Sequence, residues 1–395
     1  MSDGVIRRAR DHYFVIDGRP SSDFGIICSK DNGFDAPARD VETISVQGRN
    51  GDLHVDKGRW TNASVTYTCT IERDFAEKFA EFRKFVSNLR GYQRLEDTFH
   101  PGEYRMALLN GGITADRLGT RYNSGKFDLT FNCKPQRFLK SGEEPIWIIP
   151  PVVSGNSIST PRMNSTVQSF TELTVLSLPE SGSVTFSLMW LNEGASSESS
   201  YTLGTATEVG WQPEIVPDLP ANVEYWRVNA QMSSGDSVDD LRFQLSGYFF
   251  IHGENQGASY IDGICGRSID LINPTGFETR PVFEVDGAIS PIQAVRLYDE
   301  DDELVEVYSI NSTDYSEITT TAVIDCENEY FYYEDDGKKK NITGHLTITH
   351  TDGDGDTLPA AFPKLGAHRT NLYIYTTYAG YSNLFVKVTP HWFTI

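Results

Sequence analysis

The sequence predicts a mainly β protein of two or three domains. Stretches rich in Val, Ile, Thr and Tyr alternate apolar with polar residues along most of its 395 positions. The 33 glycines, 22 phenylalanines and 19 tyrosines suit folded, turn-rich strands rather than disorder. Helical periodicity is convincing in one place only. At this length a single core stops growing, so the chain divides. Composition shifts place the divisions at 1–145, 152–272 and 273–395.

In the first unit, Tyr13 to Arg19 reads as a short strand running into a turn, and Phe24 to Ser29 as a second strand. Residues 41–46 alternate with strand period up to Gly48-Arg49-Asn50-Gly51. There Asn50-Gly51 is a strong hairpin signal, because both central residues of such a turn must tolerate positive φ. Leu53, Val55 and Trp60 then resume extended character, so 39–60 is expected to form a long β-ribbon. It has no nucleophile beside a base and no metal-ligand spacing, which suits pairing with another chain better than catalysis. Ala63–Ile71 alternates as a half-buried strand. The helix follows: Phe75, Phe79, Phe82, Phe85, Val86 and Leu89 make one apolar stripe, with Asp74 as its cap and Gly91 as its stop. Further strands are expected at 104–109 and 125–131, the latter running on through Cys133-Lys134-Pro135 to Phe138.

Gly142 to Pro145 and Ile149-Pro150-Pro151 read as a linker. Residues 152–272 are then poor in Lys and rich in Ser, Thr and Gly, with alternating strands at 183–190, 224–228 and 241–245. Their rhythm, with a Trp-bearing strand, is similar to jelly-roll carbohydrate-binding modules. The third unit opens at Asn273-Pro274 and continues with extended runs at 279–287 and 322–330.

Charge is unevenly placed. The net −21 resolves into +1 for 1–145, −10 for 146–272 and −12 for 273–395. The acidic two-thirds of the chain argues against nucleic-acid binding, which needs a basic footprint. Its charge suits a passage through which DNA slides without sticking, and equally the ordinary use of acidity for solubility. No run approaches the roughly 18 apolar residues that span a bilayer. Met1 to Arg8 lacks an apolar leader core, which implies a soluble chain made in a cytosol. The five cysteines are far apart with no C-x-x-C, as expected of buried reduced thiols.

Candidate chemistry is sparse. Asp352, Asp354 and Asp356 alternate as a calcium loop does, but Pro363 stands where such a loop places its bidentate acid. A solvated turn is the expected reading and weak Ca²⁺ binding the alternative. The run Asp299 to Glu303, with Asp301 and Asp302, could be read as the paired carboxylates of a glycosidase. Adjacent like charges cannot all be buried, so an exposed loop is expected. Neither a His-based metal spacing nor a G-x-S-x-G nucleophile is present, and no cofactor is expected. Trp190, Trp211, Tyr225, Trp226, Tyr248 and Tyr260 are aromatics on which a sugar ring could stack. Strand alternation puts Tyr225 and Trp226 on opposite faces, one inward and one outward. Trp211, in the loop-like Gly210-Trp211-Gln212-Pro213, is the expected exposed stacker, and Tyr225, Trp226 and Tyr248 complete the candidate saccharide site.

Several of these runs together resemble the distal tail (Dit) proteins of siphophages. They are Phe24-Gly25 to Ser29, Arg39 through Gly48-Arg49-Asn50-Gly51 to Trp60-Thr61-Asn62, and Phe131 to Phe138 with its "F-x-C-K-P-x-R-F" pattern. Asn273 to Gly287, Ala322 to Tyr330, Phe362-Pro363-Lys364-Leu365 and Pro390-His391-Trp392 follow in the family's order. Asn50 stands where the family has Asp and Gln47 where it has Pro; both permit a tight turn.

The resemblance implies an N-terminal β-sandwich with one helix and a ribbon, six copies of which close into a ring. It implies a galectin-like C-terminal β-sandwich, with 152–272 inserted as in "evolved" Dits that carry sugar-binding modules. Arg39, Gly48, Arg49, Asn50, Gly51 and Trp60 would then serve ring assembly. The partners would be five further copies, the tail tube protein, a tail-tip protein and host cell-wall polysaccharide, at the tail tip of a virion, with no enzymatic activity and no membrane. The rival readings are a stand-alone lectin or adhesin and, more remotely, a glycoside hydrolase.

Overall fold

The computed structural model describes residues 12–30, 36–109, 111–118, 123–164, 169–250, 258–285, 291–312, 321–376 and 385–395. The leader reading at Met1 to Arg8, and the end of the 279–287 run, lie outside them. The chain is mainly β, with one α-helix among the described residues. It divides into two compact units: residues 1–142 with 393–395, and residues 143–392.

The first unit is built on a sheet in the order Arg19–Pro20, Phe14–Ile16, Gln93–Asp97, Glu103–Leu109, Ser124–Leu139, Ala63–Ile71, Ile26–Lys30. Its spine is the 16-residue strand Ser124–Leu139, which also pairs with Ala115–Leu118 and with Phe393–Thr394. Alternation along it sends Phe127, Leu129, Phe131 and Cys133 inward. The helix Phe75–Asn88 closes this core with Phe75, Phe82 and Val86 buried and Phe79, Phe85 and Leu89 partly so, as the stripe predicted. Its ends differ from expectation. The Asp74 side chain makes no cap bond, and the Phe75 N–H is satisfied instead by the Asn123 carbonyl at 2.8 Å. The helix stops at Asn88, before Gly91 can act as its left-handed terminus.

Pro135 explains the second half of the long strand. Proline has no N–H to give to a ladder, and the register with Glu103–Leu109 slips between Cys133 and Arg137. Beyond the slip Arg137 pairs with Glu103 at 2.7 Å, and Phe138 stacks on Tyr104 with ring centres 5.2 Å apart.

In the second unit the stretch between the two linker-like runs, Ile146–Ile149, is a strand. Ile146–Ile149 lies inside a nine-stranded sheet, parallel to Ala258–Gly266 on one side and antiparallel to Val386–Thr389 on the other. Ile148 and Ile149 are fully buried. A four-residue apolar run between prolines and acids is how a central strand reads when both faces are covered. The full order of that sheet is Ser169–Ser177, Arg242–Phe250, Ala258–Gly266, Ile146–Ile149, Val386–Thr389, Val282–Val285, Ala322–Asp325, Tyr330–Asp335, Lys338–Asn341. Strands from 152–272 and from 273–395 therefore share one sheet, and the boundary expected at 272/273 falls within a single compact unit.

Two further sheets belong to this unit. One comprises Val152–Ser154, Ser157–Ser159, Val223–Met232, Val184–Asn192 and Ser199–Ala206, with Met163–Asn164 beside Val223–Met232. Phe186, Leu188, Trp226 and Val228 from it share a core with Leu173, Phe243, Leu245 and Phe249 of the nine-stranded sheet. The other is five-stranded, in the order Ser268–Ile272, Arg369–Ile374, Ile292–Tyr298, Leu304–Ser312, Leu346–Asp352.

Candidate functional site

The ribbon is a sheet of its own. Arg39–Ile44 pairs with Leu53–Trp60 and with no other described strand. Its root is polar. Arg39 pairs with Asp56 at 3.1 Å and lies 4.7 Å over the Trp60 ring, and Arg59 reaches Asp40 at 2.6 Å. Lys57 sits 3.7 Å from both Asp40 and Glu42. Just past Trp60, the Asn62 amide donates to the Tyr92 hydroxyl at 2.8 Å and to Asn132 Oδ1 at 2.7 Å, pinning the end of the ribbon to the sheet of the first unit.

One face of the outer half is aliphatic. Ile44 faces Leu53, and Val55 is the next residue along on the same face. These three, with Val46, are between 39% and 43% exposed. A two-stranded hairpin is marginal in water, and one that presents aliphatic side chains on its tip is suited to being covered.

The turn differs from expectation. The strands end at Ile44 and Leu53, leaving an eight-residue loop, and the turn proper is Val46-Gln47-Gly48-Arg49. The Arg49 N–H donates to the Val46 carbonyl at 3.2 Å, and Gly48 takes φ 83°, the positive value that the third position of a type II turn requires. Asn50 stays at ordinary φ, so Asn50-Gly51 is not the two-residue turn.

The aromatic candidates part company. Trp226 is 0% exposed, packed 5.2 Å from Phe170, and belongs to the core. Tyr225 is on the opposite face, as alternation requires, yet is only 3% exposed. Its hydroxyl donates to Glu198 at 2.9 Å, and Arg162 covers its ring at 4.5 Å. Neither offers a face to a sugar: strand alternation says which side a residue takes, not what covers that side. Trp211 stacks on Phe186 with ring centres 5.6 Å apart and lies against Gly204, so it lids the core instead of standing free. Tyr248 is exposed. It forms a cross-strand pair with Tyr260 at 5.8 Å, and the two are 52% and 56% exposed. Ser246 and the exposed Asp262 share their face of the sheet.

Both acidic runs are turns held by their own first aspartate. Asp352 Oδ1 accepts the N–H groups of Asp354 and Asp356, at 3.1 and 2.8 Å. Asp299 Oδ1 likewise accepts those of Asp301 and Glu303, at 3.0 and 2.9 Å, while Asp302 pairs with Arg369 at 2.6 Å. Among the described residues no group of three or more His, Cys, Asp or Glu is placed to hold a metal ion.

The cluster that the sequence reading missed is Arg162, Glu198, Tyr225 and Arg227. Arg227 grips Glu198 at two points, 3.0 and 2.7 Å. Those hydrogen bonds, helped by Tyr225, hold the Glu198 carboxyl below the usual range, while burial and the adjacent carboxylate push the Tyr225 hydroxyl up. The available signal was the spacing of two between Tyr225 and Arg227, which places them on one face; nothing in the sequence brings Glu198 or Arg162 to it.

No protein-family model and no curated protein matches the chain. Among solved structures it is similar to the SPP1 Dit (gp 19.1) protein, described as a paradigm of hub adsorption apparatus in phages infecting Gram-positive hosts. That likeness is 9% identity and a TM-score of 0.40, over 95% of this chain and 97% of that one. It is also similar to a chain of the phage P2 baseplate in its activated conformation with Ca, at 7% identity and a TM-score of 0.37, over 95% of this chain and 97% of that one. The same baseplate with Sr gives 8% and 0.36, over the same shares.

Proposed function

We propose that the chain is a structural tail-hub protein of a long-tailed phage, similar to the Dit family, whose first unit closes into a six-fold ring through the ribbon. The observation that carries the reading is the ribbon itself. It pairs with no other described strand, is riveted by ion pairs at its root, and presents exposed aliphatic side chains beside its turn. The family-like runs gain physical roles that support it: Asn62 anchors the ribbon, and Pro135 sets the register slip in the spine strand. The mechanism is assembly, with no reaction. The partners are further copies, a tail tube protein and a tail-tip protein, and DNA would pass through the ring. The virion tail is the place of action and the host cytosol the place of synthesis.

The second part of the proposal is saccharide binding by the second unit, on the exposed Tyr248–Tyr260 pair with Asp262 and Ser246 beside it. Six copies on a ring would turn weak single-site affinity for host cell-wall polysaccharide into firm attachment. A stand-alone lectin would share this platform but leave the ribbon tip bare.

The test is light scattering on the purified full chain at rising concentration, backed by negative-stain images. A six-fold ring with a central hole is the expected result. A monomer at all concentrations, unchanged on adding the tail tube protein, would refute ring assembly.

A further inference from the structure

Residues 146–272 contain four cationic side chains, all arginine. Three are engaged with carboxylates. Arg242 pairs with Asp270 at 2.8 Å, Arg267 lies 3.5 Å from Asp239, and Arg227 is gripped by Glu198. The fourth, Arg162, makes no hydrogen bond or salt bridge among the described residues; its guanidinium rests on the Tyr225 ring.

Arg162 and Arg227 line one cleft of about 160 Å³, together with Val152, Ser159, Thr160 and Pro161. Its construction is layered. Glu198 fixes Arg227 and Tyr225 from one side, and Tyr225 supports Arg162 from below. Two guanidinium groups against one carboxylate leave the cleft with a surplus of one positive charge, inside a segment whose net charge is −10. A long polyanion would be repelled by that segment, whereas a compact anion meets the local surplus alone. Guanidinium forks match the geometry of phosphate and carboxylate oxygens.

We propose that this cleft binds a single compact oxyanion, phosphate or carboxylate. The site is separate from the Tyr248–Tyr260 platform and stands whether or not that platform binds saccharide.

The experiment is calorimetric titration of the full chain, in a phosphate-free buffer of low ionic strength, with sodium phosphate, glucose 6-phosphate, glucuronate and glucose as probes. Glucose 6-phosphate or glucuronate should bind at least about tenfold more tightly than glucose, and R162Q should weaken that binding by about tenfold or more. The better of the two acids names the oxyanion. Inorganic phosphate competing with glucose 6-phosphate supports the same site. R162Q removes an arginine that makes no salt bridge among the described residues and meets Glu198 only at longer range, so the variant should still melt cooperatively, within a few degrees of the parent; the double variant Y248A/Y260A should keep the affinity for the charged probes. Equal binding of glucose and both charged sugars would overturn the proposal. So would an R162Q titration within about twofold of the parent, or loss of the charged probes in Y248A/Y260A alone.

Discussion

Two aromatics that look alike in the sequence have opposite energetic standing. Trp226→Ala empties a fully buried site next to Phe170, and should cost about 3–5 kcal/mol, read as a lower melting temperature. Tyr248→Ala removes a half-exposed ring and should stay within about 0.5 kcal/mol of the parent. A large loss at Tyr248 would mean that the platform is structural. Gly125→Ala is a sharper case, because a Cβ there would lie 2.3 Å from the Phe75 ring and force that buried ring to shift; about 1–3 kcal/mol is expected. Glu198 gives a pH dependence with a defined sign. Its folded carboxyl is held below its ordinary value of 4.5 by Arg227, so its contribution is present above that value and lost as pH falls through the lower folded one. Melting of the parent and of E198Q should therefore differ at pH 7 and converge as the pH falls below the ordinary carboxyl value of 4.5. At this scale the sequence was legible where period decides, as along Phe127 to Cys133 and down the phenylalanine stripe. It was illegible where a covering residue comes from elsewhere in the chain, as Arg162 does over Tyr225.

Elements carry the assembly argument. Replacing residues 45–52 by a two-residue turn removes Val46 and shifts the apolar tip, and should leave a folded first unit that no longer forms rings; rings from this variant would free the ribbon of its role. The strand Ile146–Ile149 makes a complementary prediction. A fragment limited to 152–272 lacks it and bares one edge of Ala258–Gly266, so it should aggregate or fail to melt cooperatively, whereas 143–392 should melt cooperatively as one body. A soluble, cooperatively folded 152–272 would mean that the shared sheet is dispensable. The ribbon was readable because alternation and glycine bracketing are local. The strand at 146–149 was not, because its partners, near 264 and 387, are more than a hundred residues away and proline on both sides mimics a linker.

The molecule as a whole divides where topology, not composition, dictates. The jump to acidic composition after 145 lies close to the observed division at 142/143, but the return of 393–395 to the first unit left no trace in composition. Only two register pairs, Arg137 with Thr394 and Phe138 with Phe393, complete the spine strand, and they come from the far end of the chain. That return sets an order in time. On the ribosome the first unit emerges early, yet its sheet waits for a closing strand until residues 143–392 have been made, roughly ten to fifty seconds later. A chain that stalls or is cut short inside the second unit never delivers Phe393. The unit that carries the ribbon thus completes its sheet only after residues 143–392 have been synthesised, and a truncated chain is left with an unfinished spine strand.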